Sequence, residues 1–381
     1  LIGDSGITLT GNLVSTDTAG GAIALTGPVT LAGDITVDAD ANNTSVTFNS
    51  TATVNSDSTG TKRDLTINTG AGAVAMQGII GGSVALDAIS INAATAGAGT
   101  VEVANIAGAA GAVSIGNGAT ATLTLDGTTY TSTGAQTYEA NDINITAGAD
   151  VTFTTTNTAV EFQDGAAGQI VLSDATDLTI TTSGGDITIA PTIAGTDSGG
   201  GGNTAEDITL NAAGGTVTLS NTGAAVLATE IGDVTLTGAT IALSNSITST
   251  GTNSAGNAAT IDINGAVTLN DNDITFTTGG GGIDFSSTIV SGSTTPRALT
   301  IAQGAGAVVI NGNIGGTANN DVGNITIGAT GNNGNITLSG DIGTDSVAGA
   351  AVVALGNANT GLITLGGAEY NTSGTQTYTA D

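Results

Sequence analysis

The chain has 381 residues, 61 of them glycine, and carries 32 acidic against 3 basic side chains for a formal charge of −29. It has no cysteine, histidine or tryptophan, which excludes disulfides, thiolate metal sites and any Ser–His or Cys–His nucleophile. Such an acidic surface repels nucleic acid and anionic lipid, and no apolar run approaches the roughly 20 residues of a membrane span.

The apolar residues are mainly Val, Ile, Leu and Ala, with aromatics at only 2%. The exposed helix formers Lys, Arg and Glu are scarce, while Thr, Asn, Gly and Ser abound, so helix is disfavoured. What recurs is an apolar–Thr–apolar triplet, the period-2 mark of a short strand with one buried face.

Taken in chain order, these triplets fall into long repeats. Residues 1–28 read as the end of a preceding unit: Ile7-Thr-Leu9 matches Ile241-Ala-Leu243, and Ser15-Thr16 matches Ser249-Thr250. Leu1–Asp4 reads as mid-repeat, without the leader pattern of a secreted precursor. The unit 29–142 carries Arg63-Asp-Leu-Thr-Ile67, the GAGAV block Gly70–Val74, Ile80-Gly-Gly82 and the segment Tyr130–Tyr138. The unit 143–266 is more divergent. It keeps Leu178-Thr-Ile180 and Thr248-Ser-Thr-Gly251 and inserts the loop Asp197–Asn203. The unit 267–381 returns to the first pattern, with Arg297-Ala-Leu-Thr-Ile301, Gly304–Val308, Ile314-Gly-Gly316 and Tyr370–Tyr378. The offsets are 297 − 63 = 234 and 370 − 130 = 240, so units alternate with a superperiod near 234–240.

Inside a unit a finer period appears. Leu299-Thr-Ile301 is followed 325 − 299 = 26 residues later by Ile325-Thr-Ile327, and Ile310 by Leu338 after 338 − 310 = 28. Coils of 24–28 residues predict an all-β parallel β-solenoid of about 14–15 coils, three short strands per coil, stacked ~4.8 Å apart. The reading is one continuous solenoid over 1–381. Gly and Asn between strands, as in Asn311-Gly-Asn313 and Gly331-Asn-Asn-Gly334, are expected to turn corners at positive φ. All five Phe end a β-branched–x–Phe triplet, at Phe48, Phe153, Phe162, Phe276 and Phe285, which places them in the interior. The Tyr130/Tyr138 and Tyr370/Tyr378 pairs read either as packed corner fillers or as external binding platforms.

Units closing in TSTGAQTY, followed by VTL and VTF triplets and a GAGAV…IGG segment, resemble the repeat arrays of filamentous haemagglutinin-like giant surface proteins of Gram-negative bacteria. The resemblance covers the whole chain on low-complexity motifs. It implies a parallel β-helix forming the non-catalytic shaft of an extracellular, cell-surface fibre or adhesin. The expected partners are further coils of the same or neighbouring chains, stacked axially, and a host or neighbouring cell surface. No nucleic acid and no membrane insertion are expected. No functional residue carries over from the family.

With Lys62, Arg63 and Arg297 as the only basic side chains, catalysis lacks its usual parts, and the chain is read as not an enzyme. A carboxylate pair cleaving glycosides would want basic and aromatic neighbours that are missing. Calcium is the one metal whose oxygen ligands are plentiful. Asp38, Asp40 and Asn42 have the alternating spacing of the first half of a calcium loop, but Asn43 replaces its Gly and Asn49 its bidentate Glu. Asp271 and Asp273 hold a similar place in the last unit, and Gly279–Asp284 opens like a nonapeptide calcium repeat with Ser286 in an apolar slot. Solvated turns are the better reading for each, and no cofactor is assigned. Two alternatives stay open: a calcium-stabilised matrix or S-layer-like protein, and an ice- or surface-binding solenoid. The latter would use outward ladders of Thr30, Thr36, Thr66, Thr152, Thr300 and their equivalents.

Overall fold

The computed structural model describes the whole chain except residues 17–20, 95, 96, 98, 166, 167, 197–205, 221–230, 254, 294, 317–319, 329, 330, 332, 333 and 344–349. The inserted loop Asp197–Asn203 lies outside the described residues. Strands are short, parallel and stacked, forming two compact units, Leu1–Pro191 and Thr192–Asp381. Together they hold about 13 turns of a β-solenoid with three strands per coil.

The triplet explains why these residues form these strands. Residues 35–38 show the alternation: Ile35 and Val37 point inward and are buried, while Thr36 and Asp38 point outward. One column of the first unit runs through Ile35–Asp38, Leu65–Asn68, Ile89–Ile91, Val113–Gly116, Gln136–Ala140 and Val160–Asp164. Its register is kept rung by rung, Ile35 on Leu65, Leu65 on Ile89, Ile89 on Val113. A second column includes Val74–Met76, Thr100–Val103, Thr122–Leu125 and Asp142–Ile145, and a third Thr129–Ser132, Val151–Thr154 and Leu178–Thr181.

The second unit repeats this plan. Leu299 pairs with Ile325 and Ile310 with Leu338, the two spacings read from sequence. Two strands, Ile231–Leu243 and Ile261–Leu269, run on through a corner and serve two columns, with a register shift between Thr237 and Thr240. Coils vary more than the expected 24–28 residues. The step from Leu123 to Ile143 is 143 − 123 = 20, and that from Ile35 to Leu65 is 65 − 35 = 30. Only inward residues must stay in register, so the loops absorb the difference.

Corners are built in two ways. Thr69 and Thr278 sit buried at strand ends, and each hydroxyl closes a turn by donating to a carbonyl three residues on, Gly72 and Gly281, at 2.7 Å. Elsewhere the coil lies so close to its neighbour that no Cβ fits. A Cβ on Gly306 would meet the Gly281 carbonyl oxygen at 2.0 Å, and one on Gly334 the Gly306 oxygen at 2.4 Å. Gly312, Gly340 and Gly367 form a second such ladder. The expected positive φ does hold at Gly331 (86°), but Gly312 is not among the positive-φ residues: it is glycine because a Cβ would lie 2.2 Å from the Ser287 carbonyl carbon.

All five Phe are buried, as is the first tyrosine pair, so Tyr130 and Tyr138 are packed residues and no external platform. Phe153 stacks on Tyr130 with centroids 4.7 Å apart, Phe162 on Tyr138 at 5.1 Å, and edge-on contacts link the two stacks. The Tyr130 hydroxyl donates to the Val103 carbonyl at 2.9 Å and accepts from the Gly127 N–H at 3.0 Å. Burial pushes both phenols well above the ordinary tyrosine range.

Candidate functional site

The organising feature of the outer surface is a set of Asp and Asn side chains that bridge successive coils. Asp64 N–H donates to Asp34 Oδ1 at 3.1 Å, and Asp64 Oδ1 accepts the Ala88 N–H at 2.9 Å. In the second unit Asp233 N–H donates to Asp207 Oδ1 at 2.6 Å, and Asp233 Oδ1 accepts the Thr260 N–H at 2.7 Å. Asn313, Asp341 and Ala368 form a third run. Each acceptor stands immediately before an inward apolar residue of a strand or bridge: Asp34 before Ile35, Asp64 before Leu65, Asp207 before Ile208, Asp233 before Val234, Asn313 before Ile314. A backbone N–H at the corner has no ladder partner of its own, and the carboxylate supplies a charge-assisted one. Part of the acidic excess is thus structural. Sequence reasoning missed this, although the signal is plain in the recurrent Asp/Asn–Ile/Leu/Val–Thr tripeptide.

Asp233 tests the role. It accepts the Thr260 N–H and hydroxyl and takes the Asn253 amide at 3.0 Å on its other oxygen. Asp233→Ala is expected to destabilise by roughly 1–2 kcal/mol, since the N–H it leaves is unpaired. Thermal melts should show a Tm drop of about 3–6 °C. Asp233→Asn keeps the acceptor oxygen and relieves repulsion with Asp262, so it should lie close to wild type.

Most of the calcium candidates take part in hydrogen bonds. Asp38 ends a strand, Asp40–Asn42 form one turn of 3-10 helix, and Asp40 N–H donates to Asp38 Oδ1 at 3.2 Å. The Asp40 carboxyl is raised above its ordinary pKa, first by hydrogen bonding to the Asp38 carboxyl. Asn43 is left-handed at φ 53° and its Oδ1 accepts the Ala71 N–H at 2.7 Å, while Asn49 Oδ1 accepts the Thr51 hydroxyl at 2.8 Å. Asp271 accepts the Ser244 hydroxyl at 2.7 Å, and Asp273 the Ala298 N–H at 2.8 Å. The structure therefore brings Asp38 and Asp40 together but spreads Asp271 and Asp273 over bonds to the coils before and after. Among the described residues no group of three or more His, Cys, Asp or Glu side chains is placed to hold a metal ion.

Asp262 and Asp284 are register partners on one outer face. Burial first, then the charges of Asp284 and Asp233, raise the Asp262 carboxyl above its ordinary range. The folded chain therefore holds this proton more tightly than the unfolded chain, so its contribution to stability falls as pH rises from about 3.9 through the raised value. Melting curves from pH 4 to 7 should show that slope, and Asp262→Asn should flatten it.

The outward hydroxyl ladder is real but short. Thr36, Thr66, Ser90, Ser114 and Thr137 align in register, and Glu161 ends the run. A shallow groove among Leu1, Asn12–Val14 and Ala22–Ala24 has no ionisable side chain in its lining. No helix among the described residues is long and apolar enough to cross a membrane. No protein-family model, curated protein or solved structure matches this chain.

Proposed function

We propose that this chain is a length of structural shaft in an extracellular fibre or adhesin displayed on a bacterial cell surface, of the filamentous haemagglutinin-like kind. The observation that carries the reading is the union of a repeat-built parallel solenoid with coil-bridging Asp and Asn side chains. Backbone ladders run along the stacking direction in all three columns, so stiffness is the property these residues are spent on. Remaining charge keeps neighbouring fibres apart, while backbone ladders, inward apolar side chains and the Asp and Asn bridges hold the coils together axially. The shaft is non-catalytic and needs no cofactor; its partners are further coils stacked axially and the surface of a facing cell. Immunogold electron microscopy with antibody to this chain on the producing cells tests the proposal. Label should follow filaments outside the cell. Label confined to the cell interior would overturn it.

A further inference from the structure

Four Asn–Gly steps occur in the chain, at Asn117, Asn264, Asn311 and Asn333, of which the first three lie among the described residues. Glycine after asparagine lets the backbone nitrogen reach the side-chain amide carbon, because no Cβ restrains the peptide between them. Folding closes two of the three. A Cβ on Gly265 would meet the Gly238 carbonyl oxygen at 2.1 Å, and one on Gly312 the Ser287 carbonyl carbon at 2.2 Å. Those peptides lie against the preceding coil and have no room to turn. Gly118 is different. It is exposed, and the nearest atoms its Cβ would meet are Glu139 Oε1 at 3.0 Å and Gly165 Cα at 3.8 Å.

The turn from Asn117 to Thr120 is also set for attack on the side chain. Thr120 N–H donates to the Asn117 carbonyl at 2.8 Å, Asn117 N–H to Thr120 Oγ1 at 3.0 Å, and Ala119 N–H to Asn117 Oδ1 at 2.8 Å. The last bond polarises the side-chain carbonyl and stabilises negative charge developing on Oδ1. The turn from Asn357 to Thr360, 357 − 117 = 240 residues on, repeats the three bonds at 3.0, 2.9 and 2.7 Å. It differs where the chemistry lies: Ala358 replaces Gly118, and Thr379 stands at the position of Glu139. The chain thus contains its own matched comparison.

We propose that Asn117–Gly118 is a self-modification site, where the folded corner converts asparagine to aspartate or isoaspartate with Glu139 as the base. The Glu139 carboxylate takes the Gly118 N–H proton, directly or through a water. The Gly118 nitrogen bonds to Asn117 Cγ, the Cγ–Nδ2 bond breaks, and Nδ2 leaves as ammonia with the proton returned from Glu139. Water then opens the cyclic imide at either carbonyl, giving aspartate or isoaspartate. No other reactant is needed. The product lacks the Nδ2 donor that Asn117 gives to the Asn92 carbonyl on the preceding coil, and it gains a negative charge beside Glu139. The corner therefore loosens as the protein ages. The site depends on this corner alone and not on the shaft's role.

The test is peptide mapping by mass spectrometry after prolonged incubation of the native chain at mildly alkaline pH in heavy-oxygen water. Conversion at Asn117, with heavy oxygen incorporated, should be at least about tenfold faster than at Asn264, Asn311 or Asn357 in the same molecules. In denaturant Asn117, Asn264 and Asn311 should react alike, and Asn357 more slowly. Gly118→Ala copies the residue found at Ala358, so the turn stays folded, and it should slow Asn117 by about tenfold. Glu139→Gln should slow Asn117 by about tenfold in the native chain and leave its rate in denaturant unchanged. Equal native rates at Asn117, Asn264 and Asn311 overturn the proposal. So does an Asn117 that stays intact in the native chain while the denatured chain reacts. An unchanged native rate in Glu139→Gln, with the fold confirmed by circular dichroism, overturns it too.

Discussion

Gly306→Ala is expected to destabilise the second unit by about 3 kcal/mol or more, although it adds a single methyl group. That methyl would sit 2.0 Å from the Gly281 carbonyl oxygen and 2.2 Å from its carbon, backbone atoms that have no rotamer to change. Relief requires the two coils to part, and parting them loosens the rungs on either side. The flanking strands Ile283–Phe285 and Val308–Ile310 are bonded across that gap, so the loss spreads to a buried layer. For a unit of this size the Tm should fall by about 6–12 °C. Gly214→Ala is the matched control, because nothing lies within 4 Å of its added Cβ. It should be neutral or slightly stabilising, since alanine restricts the unfolded chain. Equal effects at the two positions would remove close coil contact as the reason for this chain's glycine content.

The second large effect is expected at Phe162. Its ring lies 5.1 Å from that of Tyr138, tilted by 21°, and 5.1 Å from that of Phe153 edge-on. Phe162→Ala removes one of four packed rings from a fully buried layer, at a cost of roughly 3–5 kcal/mol. Near-UV circular dichroism should lose much of its tyrosine signal as Tyr138 gains freedom. Thr152→Ala, at the outward position next to Phe153, should change stability by no more than about 0.5 kcal/mol. A Phe162→Ala protein that melts like wild type would contradict the packed aromatic layer.

Much of this architecture can be read from residue order because a solenoid is local. Each apolar–Thr–apolar triplet states which side chains face inward, and the recurrence of Leu299 at Ile325 states what they stack on. The Phe positions were legible for the same reason: each ends a triplet. The tyrosines were ambiguous, because Tyr130 satisfies its hydroxyl at Val103 and Gly127, partners that only the folded corner brings together. The calcium half-loop at Asp38–Asn42 illustrates a different limit. Alternating oxygens suit an ion and suit a corner alike, and in the folded chain Asp38 accepts the Asp40 N–H. Glycine was misassigned in part: positive φ accounts for Gly331, but close approach accounts for Gly312 and Gly334, and sequence distinguishes these only once the coils are in register. The Asp233-type bridges were present in sequence as Asp-Val-Thr and similar tripeptides, yet their purpose appears only when the next coil's N–H is in place.

The absence of native cysteine allows the register to be tested directly by engineered pairs. Thr66 and Ser90 are register partners in the first unit, as are Thr300 and Thr326 in the second, all on outward positions. Adjacent rungs lie ~4.8 Å apart, inside the span of a disulfide, whereas two rungs exceed the ~7 Å limit. Thr66→Cys with Ser90→Cys, and Thr300→Cys with Thr326→Cys, should therefore oxidise to intramolecular disulfides in the native protein. Thr66→Cys with Ser114→Cys, and Thr300→Cys with Ala354→Cys, should remain reduced. Equal oxidation of near and far pairs, or none in the near pairs, would contradict an in-register stack of coils.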